Sequence, residues 1–472
     1  MWPTVFKVLG GSLLTLAIVW GLVLAWWQSN DYAPSTIDLL LYLGAVPLAL
    51  IGGYWLLRGF IEHIKAPPPV AKQSIQSEVD DDPLSGARAR TAAAERGFSL
   101  CLIDAWLNVP AGASADDVIA ALEDGKPPEP SSQLTDEAGF PVFVAEVKGL
   151  DADGMAERLL GEAGPIRQFP DQPGMVRALA LLDDVLEKAC GQVNGLLEQS
   201  PERLSLQVLC LVPADWHPSL LPALRVWLTN YWPDLDTARL EITLLPVAGE
   251  VDAMRQVDET ILRANREPSA NELFLIVGTV SAVNERTVDS WAAGQRLFTA
   301  KRQNGRIPGE GAVALLLACP ALVQGLALAE ATVISRVSHG RRDKLVDAGG
   351  RIGGRLIEQL IEGLLDVTAL DSTKIKAAVC DADHRSGQIT EMLEGLGQLF
   401  EHLDPIKDCL AIGRVNGSLS PIASLVALAC ARARVLADDA PILCLSNQHD
   451  FDRAVLLAMP FVAHVPIEPC TI

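Results

Sequence analysis

Two stretches of the sequence decide the fold: Asn271-Glu-Leu-Phe-Leu-Ile-Val-Gly-Thr-Val-Ser281 and Ile307-Pro-Gly-Glu-Gly-Ala-Val-Ala-Leu-Leu-Leu317. Both are continuous apolar runs with polar or glycine-rich turns at their ends, a pattern typical of strands that are buried on both faces. The glycines indicate places where two backbones approach closely. Glu310, which stands between two glycines, is predicted to be buried and to accept hydrogen bonds from backbone donors.

Strand-like and helix-like patterns alternate on both sides of these stretches. The strand candidates are Phe98–Ile103, Val142–Val147, Leu206–Val212, Leu240–Leu245, Leu273–Val280, Ala312–Leu317, Ala377–Cys380 and Ile442–Leu445. The helix candidates are Met175–Leu197, Pro218–Tyr231, Val251–Asn265, Arg355–Leu365, Gln388–Phe400 and Pro421–Leu436. Residues 111–138, rich in Asp, Pro and Ser, are interpreted as a loop or insertion. The alternation predicts a layered α/β fold with helices on both faces of the sheet.

The N-terminal region favours a transmembrane hairpin in residues 1–65. Residues 8–27 and 39–57 carry no charge, and each run is long enough to cross a bilayer as a helix. Lys7, Arg58 and Lys65 flank the runs, whereas the loop between them has no Lys or Arg. The positive-inside rule then predicts two passes with both termini in the cytoplasm. A cleaved signal peptide is the alternative for the first run, which lacks a small-residue cleavage site at its end.

Residues 66–95 are predicted to form a flexible linker, because Pro, Ser, Gln and Asp dominate there. Residues 96–472 are predicted to form the folded domain, with halves near 96–330 and 331–472. The whole chain has 38 basic and 59 acidic residues, and the part beyond residue 72 carries a net charge of −22. Binding to nucleic acid requires Lys and Arg side chains that neutralise phosphates, so this acidity argues against nucleic acid as a partner.

The nine cysteines are scattered singly, which favours a reducing compartment over a disulfide framework. Residues 380–384, Cys-Asp-Ala-Asp-His, have no second cluster that would complete a metal site, so a polar loop after a strand is the preferred interpretation. The run 349–354 is rich in glycine but follows no apolar strand, which favours a turn over a phosphate loop. No cofactor or metal is expected.

Taken together, the segments resemble the β-ketoacyl synthase family, which has the thiolase fold. In that family a strand ending in a Gly-Gly-Val-Asp-Ser-like turn precedes a Pro-Gly-Glu-Gly-Ala strand. The matching motif residues here are Gly278, Ser281, Pro308, Gly309, Glu310 and Gly311. Residues 379–385 resemble the family's Asp-x-Asn-Gly-Glu-x-x-Arg segment, and residues 414–424 its Gly-x-x-Gly-Ala-Ala element. Residues 441–446 and 453–457 resemble its last strand and helix.

The resemblance covers roughly residues 200–472 and implies a thiolase-like fold of pseudo-duplicated mixed sheets with helices. It also implies a cysteine nucleophile at a strand-to-helix elbow and two assisting histidines. The corresponding elbow, residues 244–254, contains no Cys, Ser or His. The degenerate site positions are Val247, Ala248, His384 and Asn416. We therefore expect no catalytic residues and no enzyme activity.

Degenerate relatives of this kind resemble proteins encoded among bacterial type VI secretion genes. That resemblance implies an inner-membrane scaffold or adaptor for effector loading or assembly, with secretion components or effectors as its protein partners. The lipid bilayer would hold the anchor, and the thiolase fold implies a homodimer. The alternatives are a membrane-bound acyl-transfer or condensing enzyme and an acyl-chain-binding module. For the enzyme, the basic residues around His339 are either a patch for an acidic acyl carrier or a solvated loop: Arg336, Arg341, Arg342 and Lys344.

Overall fold

The computed structural model describes residues 91–462, apart from 163, 173, 200–203, 237, 268–270 and 347–351, and short pieces between residues 19 and 43. The chain divides into two compact units, Met1–Asp82 and Pro83–Ile472. In the described part of the first unit, Trp20 Nε1 donates to the Leu43 carbonyl at 2.8 Å. The predicted spans at 8–27 and 39–57 lie mostly outside the described residues. Among the helices that are described, none combines the length and the apolar character needed to cross a bilayer.

The second unit contains a large mixed sheet and a separate two-stranded sheet. The strands are β1 Ser99–Asn108, β2 Glu129–Thr135, β3 Pro141–Val144, β4 Ser205–Pro213, β5 Leu240–Val247, β6 Glu272–Ser281, β7 Glu310–Ala318, β8 Thr332–Ser335, β9 Ser338–Arg341, β10 Ala377–Cys380, β11 Cys409–Ala411, β12 Ile442–Ser446 and β13 Asp452–Pro460. The α-helices are α1 Ala115–Glu123, α2 Ala152–Gly161, α3 Met175–Gln199, α4 Leu221–Thr229, α5 Glu250–Arg266, α6 Glu285–Ala293, α7 Pro320–Gly325, α8 Arg355–Thr368, α9 Ser386–Leu396, α10 Gly413–Asn416 and α11 Ala423–Asp438.

The large sheet consists of two halves with the same strand order. The first half is β5-β4-β6-β7-β1 and the second is β11-β10-β12-β13-β8, with β9 added beside β13. In each half the first two pairings are parallel and the last two are antiparallel. The halves join where Ser99–Leu102 of β1 pairs antiparallel with β8. The sheet is therefore an internal duplication, in agreement with a thiolase-like fold.

The layers of the second unit are defined by the side chains that each strand buries on its two faces. Alternate residues of β1, β6 and β7 face one core that also contains α5 and α11, and alternate residues of β10, β12 and β13 face the same core. The remaining residues of the first half pack against α3 and α4. Those of the second half pack against α8 and α9. The unit thus has five layers, with α5 and α11 between the two half-sheets.

Helix α11 shows why the centre of the fold is helical. Its first nine residues, Ala423–Ala431, are all buried, and small side chains dominate the run. A helix that is apolar on every side is stable only when it is covered on every side. Small residues let both half-sheets approach the helix closely, so this segment must occupy the middle layer.

Three local expectations are wrong. Residues 111–138 contain α1 and β2, because Ser114 caps a short helix that buries Val118 and Ala121. Residues 453–457 lie in the antiparallel strand β13 and are not helical. The predicted strand at 142–147 is β3, which ends earlier and pairs with β2 outside the main sheet. The first segment was misjudged because its many Asp, Pro and Ser residues hide a short amphipathic pattern.

Candidate functional site

The motif glycines lie where two backbones or a backbone and a side chain meet. A Cβ atom on Gly309 would lie 2.3 Å from the carbonyl oxygen of Asn416, and one on Gly311 would lie 2.8 Å from Val109 Cγ1. A Cβ on Gly278 would lie 2.7 Å from a methyl group of Ile422. Gly309 therefore requires glycine, because backbone would collide with its side chain, whereas a larger residue at Gly278 or Gly311 would require Ile422 or Val109 to shift.

Glu310 is fully buried at the start of β7 and connects several elements. Its carboxylate accepts hydrogen bonds from the Val147 backbone N–H at 2.9 Å and from Ser281 Oγ at 2.8 Å. Arg177 on α3 donates from Nε at 2.8 Å and forms a second hydrogen bond from its Nη2. The carboxylate therefore satisfies a backbone donor, as expected, and is neutralised by an arginine. Its role in this geometry is to hold the structure together.

The strand-to-helix elbow is formed by the end of β5 and the start of α5. Val247 is buried at the end of the strand, Ala248 is exposed, and Gly249 is the N-cap residue of the helix. A Cβ atom on Gly249 would lie 3.1 Å from Cδ2 of His449, so an imidazole faces the elbow. The elbow itself carries no thiol, hydroxyl or imidazole side chain. The His449 ring faces the elbow with a carbon atom, and its Nδ1 accepts hydrogen bonds from the backbone N–H groups of Phe451 and Asp452 at 3.3 and 3.0 Å.

Two buried carboxyl groups lie next to each other at this point. Glu250 begins α5 and Asp381 follows β10; they are 2% and 0% exposed. Asp381 accepts hydrogen bonds from Ser446 Oγ at 2.6 Å and from the backbone N–H groups of Asn447 and Gln448 at 2.7 and 2.9 Å. Burial and then the charge of Glu250 raise the pKa of Asp381, the hydrogen bonds lower it, and the net result is a pKa of about 7. Such a group is a potential proton carrier near neutral pH.

A buried polar network extends from Asp381 along the ends of β10 and β12. Arg385 Nε forms a forked pair with both oxygens of Asp383 at 2.9 and 3.0 Å. Gln388 and Arg385 both donate to the backbone carbonyl of Gln448, at 2.7 and 3.2 Å. The amide group of the Gln448 side chain is buried without a hydrogen-bond partner within the described residues.

His384 and Asn416, the expected histidine positions, have different partners. His384 is half-exposed, its Nε2 lies 3.2 Å from the Gln303 carbonyl, and its ring meets Phe298 edge-on at 5.0 Å. Asn416 is buried; its Oδ1 accepts from the Ala111 N–H at 3.0 Å and its Nδ2 donates to the Ile412 carbonyl at 3.1 Å. Asn416 therefore joins backbone segments, and His384 faces an open pocket.

Sequence reasoning considered Asp381 only as part of a possible metal cluster, and it missed Gln448 and His449. The available signal was the polar run Ser446-Asn-Gln-His449 directly after the apolar strand β12, since strand ends are where site residues commonly lie. The convergence of that run with residues 381–385 depends on β10 and β12 being neighbours, which the sequence pattern alone does not show.

Seven cysteines of the described region are poor nucleophiles. Burial raises the pKa of each of these thiols: Cys101, Cys190, Cys210, Cys380, Cys409, Cys430 and Cys444. Because the thiolate is the reactive form, these groups are inert at neutral pH. Within the same region, no group of three or more potential ligand side chains is arranged to hold a metal ion.

Most of the predicted basic cluster is neutralised by carboxylates. Arg336 pairs with Asp258, whose carboxylate also accepts from the Val337 N–H. Arg341 pairs with Asp452 at 2.8 Å, and Arg342 pairs with the buried Glu391. Glu391 also pairs with Arg453, which is fully buried at the start of β13, at 2.8 Å. These arginines hold neighbouring elements together and leave little free positive charge around His339.

Similarity to known proteins is confined to structure. No protein-family profile and no curated protein matches the chain. Solved structures do match, among them a type II polyketide ketosynthase complex and the ishigamide ketosynthase/chain length factor. The first complex contains an acyl-carrier protein and its ketosynthase bound to a hexaketide; the match has a TM-score of 0.55 and 10% identity, covering 77% of this chain and 100% of that one. The ishigamide match has a TM-score of 0.51 and 15% identity, covering 78% and 100%.

A third match is the ketosynthase from module 1 of the bacillaene synthase of Bacillus amyloliquefaciens FZB42. It has a TM-score of 0.53 and 12% identity, and covers 79% of this chain and 75% of that one. When sequence identity is this low, a structural match shows a shared fold and nothing about function. Together with the duplicated sheet and the central pair α5 and α11, the matches show that the chain has a ketosynthase-like fold of the thiolase type.

Proposed function

We propose that this protein is a non-enzymatic, ketosynthase-like scaffold or adaptor that binds protein partners. The observation that carries the proposal is the elbow at Gly249 and Glu250. A glycine and a buried carboxylate occupy the start of α5, where the chemistry of a ketosynthase requires a cysteine thiolate. Seven cysteines of the described region are buried thiols with a raised pKa, and only Cys319 among those described is partly exposed.

The second part of the proposal concerns location and pathway. We propose that residues 1–65 anchor the chain in a bacterial inner membrane with both termini in the cytoplasm, and that the adaptor serves a type VI secretion system. The uncharged runs at 8–27 and 39–57 and the flanking basic residues support the anchor. Reporter fusions after residues 33 and 95 test the topology: we expect the first to be extracytoplasmic and the second cytoplasmic, and any other arrangement overturns the hairpin.

A homodimer is the third part of the proposal. In the described region β5 pairs only with β4, so its other edge has unpaired backbone groups. Open edges of this kind are usually covered in soluble assemblies. Analytical ultracentrifugation of the full-length protein should give the mass of a dimer; a monomer at every concentration contradicts this part.

The absence of thioester chemistry is tested by acylation. The full-length protein is incubated with an acyl-carrier thioester whose acyl chain carries an alkyne. We expect the wild type to carry no more covalent label than a double variant with Cys319→Ser and Cys470→Ser. Stoichiometric label that survives in the double variant shows a nucleophile elsewhere and overturns the proposal. Capture of purified secretion components by the full-length protein then tests the adaptor role directly.

A further inference from the structure

A pocket beside His384 lies between the β2–β3 hairpin and α10. It has a volume of about 290 Å³ and is lined by Phe143, Phe298 and Arg414 among others. A second pocket of about 420 Å³ lies next to it, and the two share Lys126 and Val415. We refer to these two adjoining pockets as the Arg414 groove.

The first pocket of the Arg414 groove is positively charged. Arg414 and Lys126 line it, together with His384, and no carboxylate of the described region does. Arg414 is exposed and forms no salt bridge with a described residue. Among the described residues, Lys126 pairs with Asp124; both side chains are mostly exposed, so the pair is weak and a ligand can replace Asp124. In a chain of net charge −21, a pocket of this kind is an exception.

The walls of the same pocket are aromatic. Phe143 and Phe298 meet edge to face at 5.5 Å, and Phe298 meets His384 in the same manner at 5.0 Å. Phe143 is 38% exposed although it belongs to a strand. An apolar side chain that covers Phe143 and Phe298 would remove this surface from water, which favours binding.

We propose that the first pocket of the Arg414 groove binds an acidic segment of a partner protein. Its two cations, Lys126 and Arg414, lie in one pocket without a carboxylate of the described region, whereas Glu129 and Glu146 offset Lys148 and Lys126 in the second pocket. Two cations in one pocket suit two side-chain carboxylates of a peptide better than one terminal carboxylate. Arg414 forms a forked pair with one carboxylate, and an apolar residue of the segment covers Phe143. The inference rests on the proposed adaptor function and names the chemistry of its partner.

The test measures binding of a defined peptide to the full-length protein. The probe is a fluorescein-labelled peptide with blocked ends, acetyl-Glu-Leu-Glu-Trp-Glu-Leu-amide, and its counterpart has Gln in place of every Glu. We expect the acidic peptide to bind about tenfold more tightly than the Gln peptide, because hydrogen bonds between ions are stronger than neutral ones. Raising the salt concentration should reduce this difference. Equal affinities for the two peptides overturn the inference.

Variants locate the binding site. Arg414→Glu should reduce the affinity for the acidic peptide to that for the Gln peptide. Arg225→Glu, at an exposed arginine on α4 that lines neither pocket, should change it less than about twofold and serves as the matched control. Lys126→Glu provides a second variant in the same groove should Arg414→Glu fail to fold. Unchanged binding by the folded groove variants overturns the inference. The acylation test involves neither the peptide nor the groove. Its result therefore tests the proposed lack of enzyme activity separately from the proposed peptide binding.

Discussion

Gly309 and the carbonyl oxygen of Asn416 are in such close contact that no side chain fits between them. A Cβ on Gly309 would approach that oxygen to 2.3 Å. The contact joins the motif before β7, in the first half of the duplication, to α10 in the second half. Glycine at this position is therefore a requirement for assembling the two halves.

We predict that Gly309→Ala destabilises the protein strongly, because the new methyl group collides with rigid backbone. Overpacking of this kind costs typically about 1–3 kcal/mol or more. Gly363→Ala is the matched control, since a Cβ there meets nothing within 4 Å on helix α8. The control should be neutral or more stable by up to about 1 kcal/mol. Urea denaturation of both variants checks this, and similar effects of the two would contradict the contact.

We predict a large loss of stability for Glu310→Gln. The substitution leaves Arg177, whose side chain is 26% exposed, without its charged partner. Breaking a largely buried pair by removing one partner costs about 3 kcal/mol. In Glu129→Gln the lost partner is Lys148, and both side chains of that pair are more than two-thirds exposed, so we expect no measurable change in Tm. Thermal unfolding of the two variants provides the comparison, and equal shifts would disprove the buried role of Glu310.

We predict that Asp381→Asn changes how stability depends on pH. Asp381 has its pKa raised to about 7 by burial and by Glu250, whereas an unfolded Asp titrates near about 3.9. The folded state thus binds the proton more tightly, so the stability contributed by this group is present below about pH 4 and is lost as the pH rises to about 7. Asparagine mimics the protonated form at every pH.

The variant should therefore exceed the Tm of the wild type by more at pH 8 than at pH 5. Asp371→Asn is the control with the opposite sign, because hydrogen bonds from Thr373 lower the pKa of that exposed carboxyl. Melting curves from pH 5 to pH 8 decide the matter. Parallel curves for Asp381→Asn and the wild type would show that Asp381 does not titrate in this range.

The sequence predicted the architecture better than the site. Strands β6 and β7 were recognisable because each is a long apolar run, and α11 because its small apolar residues continue for several turns. Strands β8 and β11 are only four and three residues long, too short to show a period. His449 and Asp381 are 68 positions apart in number, and only the pairing of β10 with β12 brings their loops together.

The duplicated sheet has one further consequence, which concerns the sign of its buried charges. In the first repeat an acid at the start of β7, Glu310, faces an arginine on a helix; in the second, Arg453 near the start of β13 faces Glu391 on α9. The repeats therefore share topology but have opposite polarity. An arrangement with β13 in place of β7 would bring Arg453 against Arg177. Like-charge repulsion thus disfavours folds in which a strand of one repeat takes the place of its counterpart in the other.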